Sequence, residues 1–171
     1  MVAFAKPVLL TMMLGGGLAI LGEVVRYWGV AYAGSLTRVT GSVGAPEIVT
    51  SGPFAHVRNP LYVGNIFLYV GVGIISNALF PWLLLVATAY FVFQYYEIVL
   101  LEEDFLRGTF GAAYEEFAGN VPRFIPRFTG YRAASQSKQR PDWRAAFYSE
   151  RRTLQAIGLV LAALLFLWLR R

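Results

Sequence analysis

Arg58, Asn59 and Tyr62 open a long uncharged stretch of this 171-residue chain, and Glu102 and Glu103 follow shortly after its far end. These residue types suit the binding of a small charged molecule. An arginine grips a carboxylate through two parallel hydrogen bonds, or anchors a lipid phosphate. Paired carboxylates accept hydrogen bonds from hydroxyls or an ammonium. Aromatic faces such as Tyr62 and Tyr114 can border a cation. Composition removes other chemistries. The chain has no cysteine and a single histidine, His56, so one copy can build neither a thiolate site nor an all-histidine zinc site, and no metal site is expected.

Bringing Arg58 near Glu102 requires the chain between them to turn back on itself. No charged residue occurs from Asn59 to Tyr96, a run of 38. One helix of that length would be about 57 Å long, against a bilayer core of about 30 Å. The run therefore reads as two helices, residues 60–76 and 80–101, in a hairpin that turns at Ser76-Asn77 with Pro81 just beyond. Proline fits the first turn of each. A first span covers residues 7–32. A fourth covers residues 153–169, 17 uncharged residues between Arg151-Arg152 and Arg170-Arg171, at the short limit for a span. Hydrophobic residues make up 57% and charged residues 15%, which excludes a disordered chain and argues against a simple soluble domain. The expected fold class is all-α: an integral membrane helical bundle with about four transmembrane helices in one domain, residues 1–171. A signal peptide ending at Ala31-Tyr32-Ala33 is rejected, because the apolar region is too long and Glu23 and Arg26 precede the site.

Lysine and arginine are unevenly placed. The 76–79 turn has none, residues 34–59 hold Arg38 and Arg58, and residues 102–152 hold nine. The positive-inside rule then puts both long segments in the cytoplasm and the hairpin tip outside, in the cell's inner (plasma) membrane. The net charge of +5 is mostly a juxtamembrane cluster, which points to anionic lipid head groups. No nucleic-acid recognition motif accompanies it, so nucleic acid is not an expected partner.

Helical periodicity groups further residues. Gly15, Gly22 and Gly29 share one face of the first span, a small-residue stripe that lets a second helix approach, or a second copy, so monomer and homodimer both stay open. Glu23 and Arg26 are spaced for an ion pair near that span's end. Asn65, Tyr69 and Ser76 align on the second helix, and Gln94, Glu97 and Asp104 on the third. These groups read as hydrogen bonds across the hairpin or as a polar pocket. Glu102-Glu103-Asp104 oppose the dipole at the end of a helix, so either the helix breaks there or positive charge lies against them. A short amphipathic helix follows over 110–118, with Thr109 as N-cap and Phe110, Tyr114 and Phe117 on one face. Residues 121–126 cannot be a helix interior, because Pro122 and Pro126 recur. Residues 142–152 read as an interfacial helix before the last span.

The order of these pieces resembles the membrane-embedded methyltransferases of the isoprenylcysteine carboxyl methyltransferase and phospholipid methyltransferase group. That pattern has a Gly-Pro-aromatic element, here Gly52-Pro53-Phe54, then Arg58-Asn59-Pro60 with Tyr62 and Gly64. A hydrophobic hairpin follows, then Glu102-Glu103, then Phe110-Gly111 with Tyr114 and Phe117, then the 121–126 end. The resemblance covers about half the chain, residues 48–127. Two positions depart from it. Asn59 stands where eukaryotic members have histidine, and His56 where relatives often have tyrosine.

The resemblance implies S-adenosylmethionine as cofactor, held on the cytoplasmic side between segments 48–64 and 102–127. His56, Val57, Arg58, Asn59, Pro60, Tyr62 and Gly64 would form one wall, and Glu102, Glu103 and Tyr114 the other, with Arg58 and Glu102 closest to catalysis. The donor carries a sulfonium, an ammonium, a carboxylate and a ribose diol. Glu102 and Glu103 can accept from the diol or ammonium, Arg58 can grip the carboxylate, and Tyr62 or Tyr114 can border the sulfonium. Methyl transfer to a lipid-like or hydrophobic acceptor needs alignment and exclusion of water rather than a metal. Two other readings compete. One is a non-catalytic scaffold binding anionic lipid through residues 123–152. The other is a membrane reductase of the sterol-reductase type.

Overall fold

The structure, a computed structural model, describes residues 4–34 and 47–170, so Arg38 lies outside the described residues. Five α-helices follow in order: α1 (Leu9–Ala33), α2 (Pro60–Ser76), α3 (Trp82–Phe110), α4 (Ala112–Asn120) and α5 (Trp143–Leu169). The described residues contain no strand. The fold is the expected helical membrane bundle.

The closest packing is between α1 and α2, which run antiparallel. The expected glycine stripe carries it. A methyl group added at Gly22 would sit 2.6 Å from the Gly64 carbonyl oxygen, and one at Gly71 would sit 2.6 Å from the Gly15 carbonyl oxygen. Gly29 meets Leu61 and Pro60. Gly64 and Gly71 are themselves seven residues apart, so two glycine stripes face each other. In lipid there is no hydrophobic drive between helices, and such backbone approach supplies the attraction instead.

Three helices among the described residues are long and apolar enough to cross a membrane: α1, α3 and α5. The expectation of about four spans is corrected to about three. At 17 residues α2 is about 25 Å long, shorter than the bilayer core. It is held by α1 rather than by its own length. The segment thought marginal, residues 153–169, is the far part of a 27-residue α5. The expected interfacial helix over 142–152 does not stand apart, because it is the start of α5. Asp142 caps that start, accepting from Ala145 N at 2.8 Å. Trp143 stacks on Tyr27 at 5.7 Å, and Asp142 N donates to the Ala31 carbonyl at 2.8 Å. These contacts seat the first turns of α5 on α1.

The third helix also exceeds its expected end at 101. It continues through Glu102-Glu103-Asp104 to Phe110, because arginines lie against the acids. The helix expected from Phe110 therefore begins at Ala112, after Gly111 with φ 53°. Thr109 is not its cap, and its hydroxyl donates back to the Phe105 carbonyl at 2.9 Å. Tyr114, Phe117 and Val121 then form a small buried core with Phe110, as the amphipathic pattern requires. At the opposite end of the bundle, Asn77 in the left-handed conformation closes α2.

Candidate functional site

Arg58 and Glu103 lie together at the polar end of the bundle. Arg58 sits in the short approach to α2, and Glu103 lies on α3 with its side chain 2% exposed. Arg58 Nε and Nη2 each reach Glu103 Oε1 at 3.0 Å. Arg58 Nη1 donates to the carbonyls of Ala118 at 2.6 Å and Val121 at 2.7 Å. Its guanidinium is thus committed to protein on every nitrogen. Arg123 binds the same carboxylate through two bonds, at 3.1 and 2.7 Å, and Arg107 approaches at 3.4 Å. The bonds to Glu103 hold the Arg123 guanidinium protonated above its ordinary range. A carboxylate removed from water is costly unless it is paired and hydrogen-bonded, and here it is both.

One residue away, Glu102 points elsewhere. It is exposed, and Tyr62 donates to its Oε1 at 2.6 Å. Tyr62 also packs on Tyr95 at 5.0 Å between ring centres. Tyr95 continues to Phe91 at 6.4 Å, and Phe91 to Tyr69 at 4.5 Å. An aromatic ladder therefore runs from Glu102 down into the bundle.

The loop before α2 is tightly held. Gly52 takes φ 61° with the Tyr32 ring against it, where a side chain would clash. His56 Nδ1 lies 2.8 Å from the Arg127 carbonyl, to which it must donate because a carbonyl only accepts. Val57 is buried, Asn59 Nδ2 donates to the Arg123 carbonyl at 3.2 Å, and Pro60 is buried at the first turn of α2. Gln139 accepts from Thr50 N at 3.0 Å and Ser51 N at 3.1 Å, and donates to the Ile48 carbonyl at 2.7 Å. The hydroxyls of Thr50 and Ser51 are buried, and neither finds a hydrogen-bond partner among the described residues. Orphaned buried hydroxyls in a rigid loop are groups that a bound molecule can satisfy.

Deeper in the bundle, Arg26 joins three helices. It donates to Asn65 of α2 and, at 2.7 Å, to Glu150 of α5, and its Nε lies 3.4 Å from Glu23. The expected Glu23–Arg26 pair is present, but its partner on α5 was not foreseen. Beside this cluster lies a cavity of about 700 Å³ between α2, α3 and α5, with Arg26, Asn65, Tyr69 and Ser76 among its lining residues. The α2 face read as polar therefore does line a pocket. The α3 face does not, since Gln94, Glu97 and Asp104 are exposed on the outside of the bundle.

The structure brings Arg58, Asn59, Tyr62, Glu102 and Glu103 together with His56, Val57 and Pro60. It places Gly64 in the α1–α2 contact, against Gly22 and Arg26. Tyr114 lies in the core under α4, 1% exposed, and burial pushes its phenol up to about 12. Sequence reading missed Thr50, Ser51, Gln139, Arg123 and Glu150 as site-building residues. Only Glu150 carried a signal, as a lone acid beside Arg151-Arg152 that has to be paired if it enters a bundle.

Residues 10–113 match the family profile described as phospholipid methyltransferase. The "Cobalt-zinc-cadmium resistance protein CzcN" of Cupriavidus metallidurans is 33% identical over 133 residues, 77% of this chain and 56% of that protein. The "Nickel-cobalt-cadmium resistance protein NccN" of Alcaligenes xylosoxydans xylosoxydans is 30% identical over 123 residues, 72% of this chain and 52% of that protein. The chain thus spans about half the length of these curated relatives. No solved structure matches it.

Proposed function

The chain belongs to the phospholipid methyltransferase family, and on that premise we propose that it transfers a methyl group from S-adenosylmethionine to a lipid-like or hydrophobic acceptor, an amine or a carboxylate, at the membrane interface. The observation that carries this reading is the meeting of Tyr62 with Glu102 and of Arg58 with Glu103, across the ends of α2 and α3. The residues present suit the cofactor. Glu102 offers an exposed carboxylate to an ammonium or a ribose diol, and the Thr50 and Ser51 hydroxyls have hydrogen-bonding capacity that no described residue uses.

The cofactor supplies an electrophilic methyl on a sulfonium. The chain's own residues supply position. Tyr62 fixes the Glu102 carboxylate, and its ring presents an aromatic face to positive charge. Arg58, committed to Glu103 and to two carbonyls, is a positioning residue that ties the approach to α2 onto α3 and the 118–121 backbone. His56, Val57, Asn59 and Pro60 hold the loop, while Gly64 and Tyr114 support it from the helix contact and the α4 core. Alignment of this kind contributes to the rate of a displacement reaction.

In this reading the polar end faces the cytoplasm of the inner membrane. Arg132, Lys138, Arg140, Arg144, Arg151 and Arg152 are exposed there, placed to contact anionic head groups. A labelled-methyl transfer assay into a total lipid extract tests the proposal and sorts acceptors at once. Label should enter an apolar fraction with the parent protein and not with Glu102→Ala. Label absent from every fraction with folded protein contradicts it.

A further inference from the structure

We propose that the cavity between α2, α3 and α5 is a binding site for a single hydrocarbon chain with an uncharged head group. The site rests on the cavity alone and stands whether or not the occupant is a methyl acceptor. The volume, about 700 Å³, falls within the size range of small-molecule sites. Its walls are apolar along most of their length, with Leu84, Ala87 and Phe91 of α3 facing Ala156, Ile157 and Val160 of α5. Both helices are candidate membrane spans, so the cavity sits at bilayer depth. Helix α5 packs on α1 and α2, while α3 packs on α2 and α4. Among the described residues α3 and α5 do not pack closely on each other, and an acyl chain from the lipid could enter between them.

Thr88 and Thr153 also line the cavity, and Ser76, at the far end of α2, spends its hydroxyl on the Gly73 carbonyl and the Ala78 amide, while the charged and amide groups lie at the other end. Asn65 and Tyr69 line that end beside Arg26. Arg26 is already held by Asn65, Glu150 and Glu23. A carboxylate head group would add a third negative charge beside Glu23 and Glu150, with one arginine to serve all three. A hydroxyl or ester carbonyl can instead hydrogen-bond to Tyr69 or Asn65 without a buried charge. The arrangement is that of an amphiphile: a long apolar wall closed by a polar end whose arginine is already paired with acids of the chain.

The test uses the full chain in lipid nanodiscs with a monoacylglycerol carrying a diazirine in mid-chain. After illumination, mass spectrometry should place adducts on residues such as Leu84, Ala87 and Ile157. Unlabelled monoacylglycerol should compete, and the fatty acid of equal length should need about tenfold more, which corresponds to about 1.4 kcal/mol. Ala87→Phe and Ala156→Phe each fill the cavity and should abolish these adducts. Val86→Phe, on the outer face of α3, should leave them unchanged. Should one filling variant fail to fold, the other decides. Adducts confined to outer residues such as Val86 and Phe93 would overturn the proposal, as would equal competition by the fatty acid. So would parental labelling of a folded, filled variant.

Discussion

Arg58 and Glu103, 45 positions apart in sequence, share two contacts of 3.0 Å at the polar end of the bundle. One stands just before α2 and the other about three-quarters of the way along α3, so this pair fixes how the two helices meet. Glu103 is 2% exposed and is also held by Arg123. Replacing it by glutamine leaves two arginines without their shared counter-charge. Losing one partner of a buried pair costs about 3–5 kcal/mol. Thermal unfolding of Glu103→Gln in detergent should show a correspondingly large fall in midpoint, and an unchanged midpoint would remove Glu103 as the organising group.

The glycines of α1 and α2 should divide sharply. At Gly22 and Gly71 an added methyl group meets backbone at 2.6 Å, so alanine there should destabilise by about 1–3 kcal/mol through overpacking. Gly16 and Gly17 meet nothing within 4 Å. Alanine at those positions should be neutral or stabilise by about 0.5–1 kcal/mol through helix propensity. Denaturation midpoints of the four variants check this ordering, which equal losses at all four sites would refute.

Arg26 holds α5 to the rest of the bundle through Glu150. Arg26→Met should loosen the start of α5 and expose the segment before it. Trypsin cleavage after Lys138 should then rise well above that of the parent. Cleavage at the parental rate would show that Tyr27, Trp143 and the Ala31 carbonyl suffice to dock the helix.

Tyr114 gives a pH signature. Burial raises its phenol from 10.0 to about 12, so the folded state disfavours the phenolate. The raised value means that the stability it contributes is complete below pH 10 and is lost as pH rises towards 12. An ultraviolet titration of the parent should show a late-ionising tyrosine that is missing from Tyr114→Phe. Superimposable curves would contradict its burial.

Much of the helix plan was legible in the sequence, because charge exclusion over 59–96 and prolines at helix starts are local signals. The limits of α3 and α5 were not. Glu102-Glu103-Asp104 reads locally as a place for a helix to break, and only Arg58 and Arg123, brought in from far away, let α3 continue. Likewise residues 142–152 look interfacial until Glu150 finds Arg26. For the candidate site, the sequence named the residues that the structure groups together, since Arg58, Tyr62, Glu102 and Glu103 flank the hairpin. It could not divide their tasks. Arg58 and Glu103 turn inward to each other, while Tyr62 and Glu102 stay accessible. Gly64 belongs to a second glycine stripe whose partner lies on another helix, and spacing within α2 alone does not reveal it.

The account centres on a donor molecule held beside Tyr62 and Glu102. Calorimetric titration of S-adenosylmethionine into the detergent-purified chain tests this most directly. We predict saturable binding that weakens by about tenfold or more, about 1.4 kcal/mol, in Glu102→Ala, with the variant's unfolding midpoint near that of the parent. Absence of binding by the folded parent, or equal binding by Glu102→Ala, would contradict it.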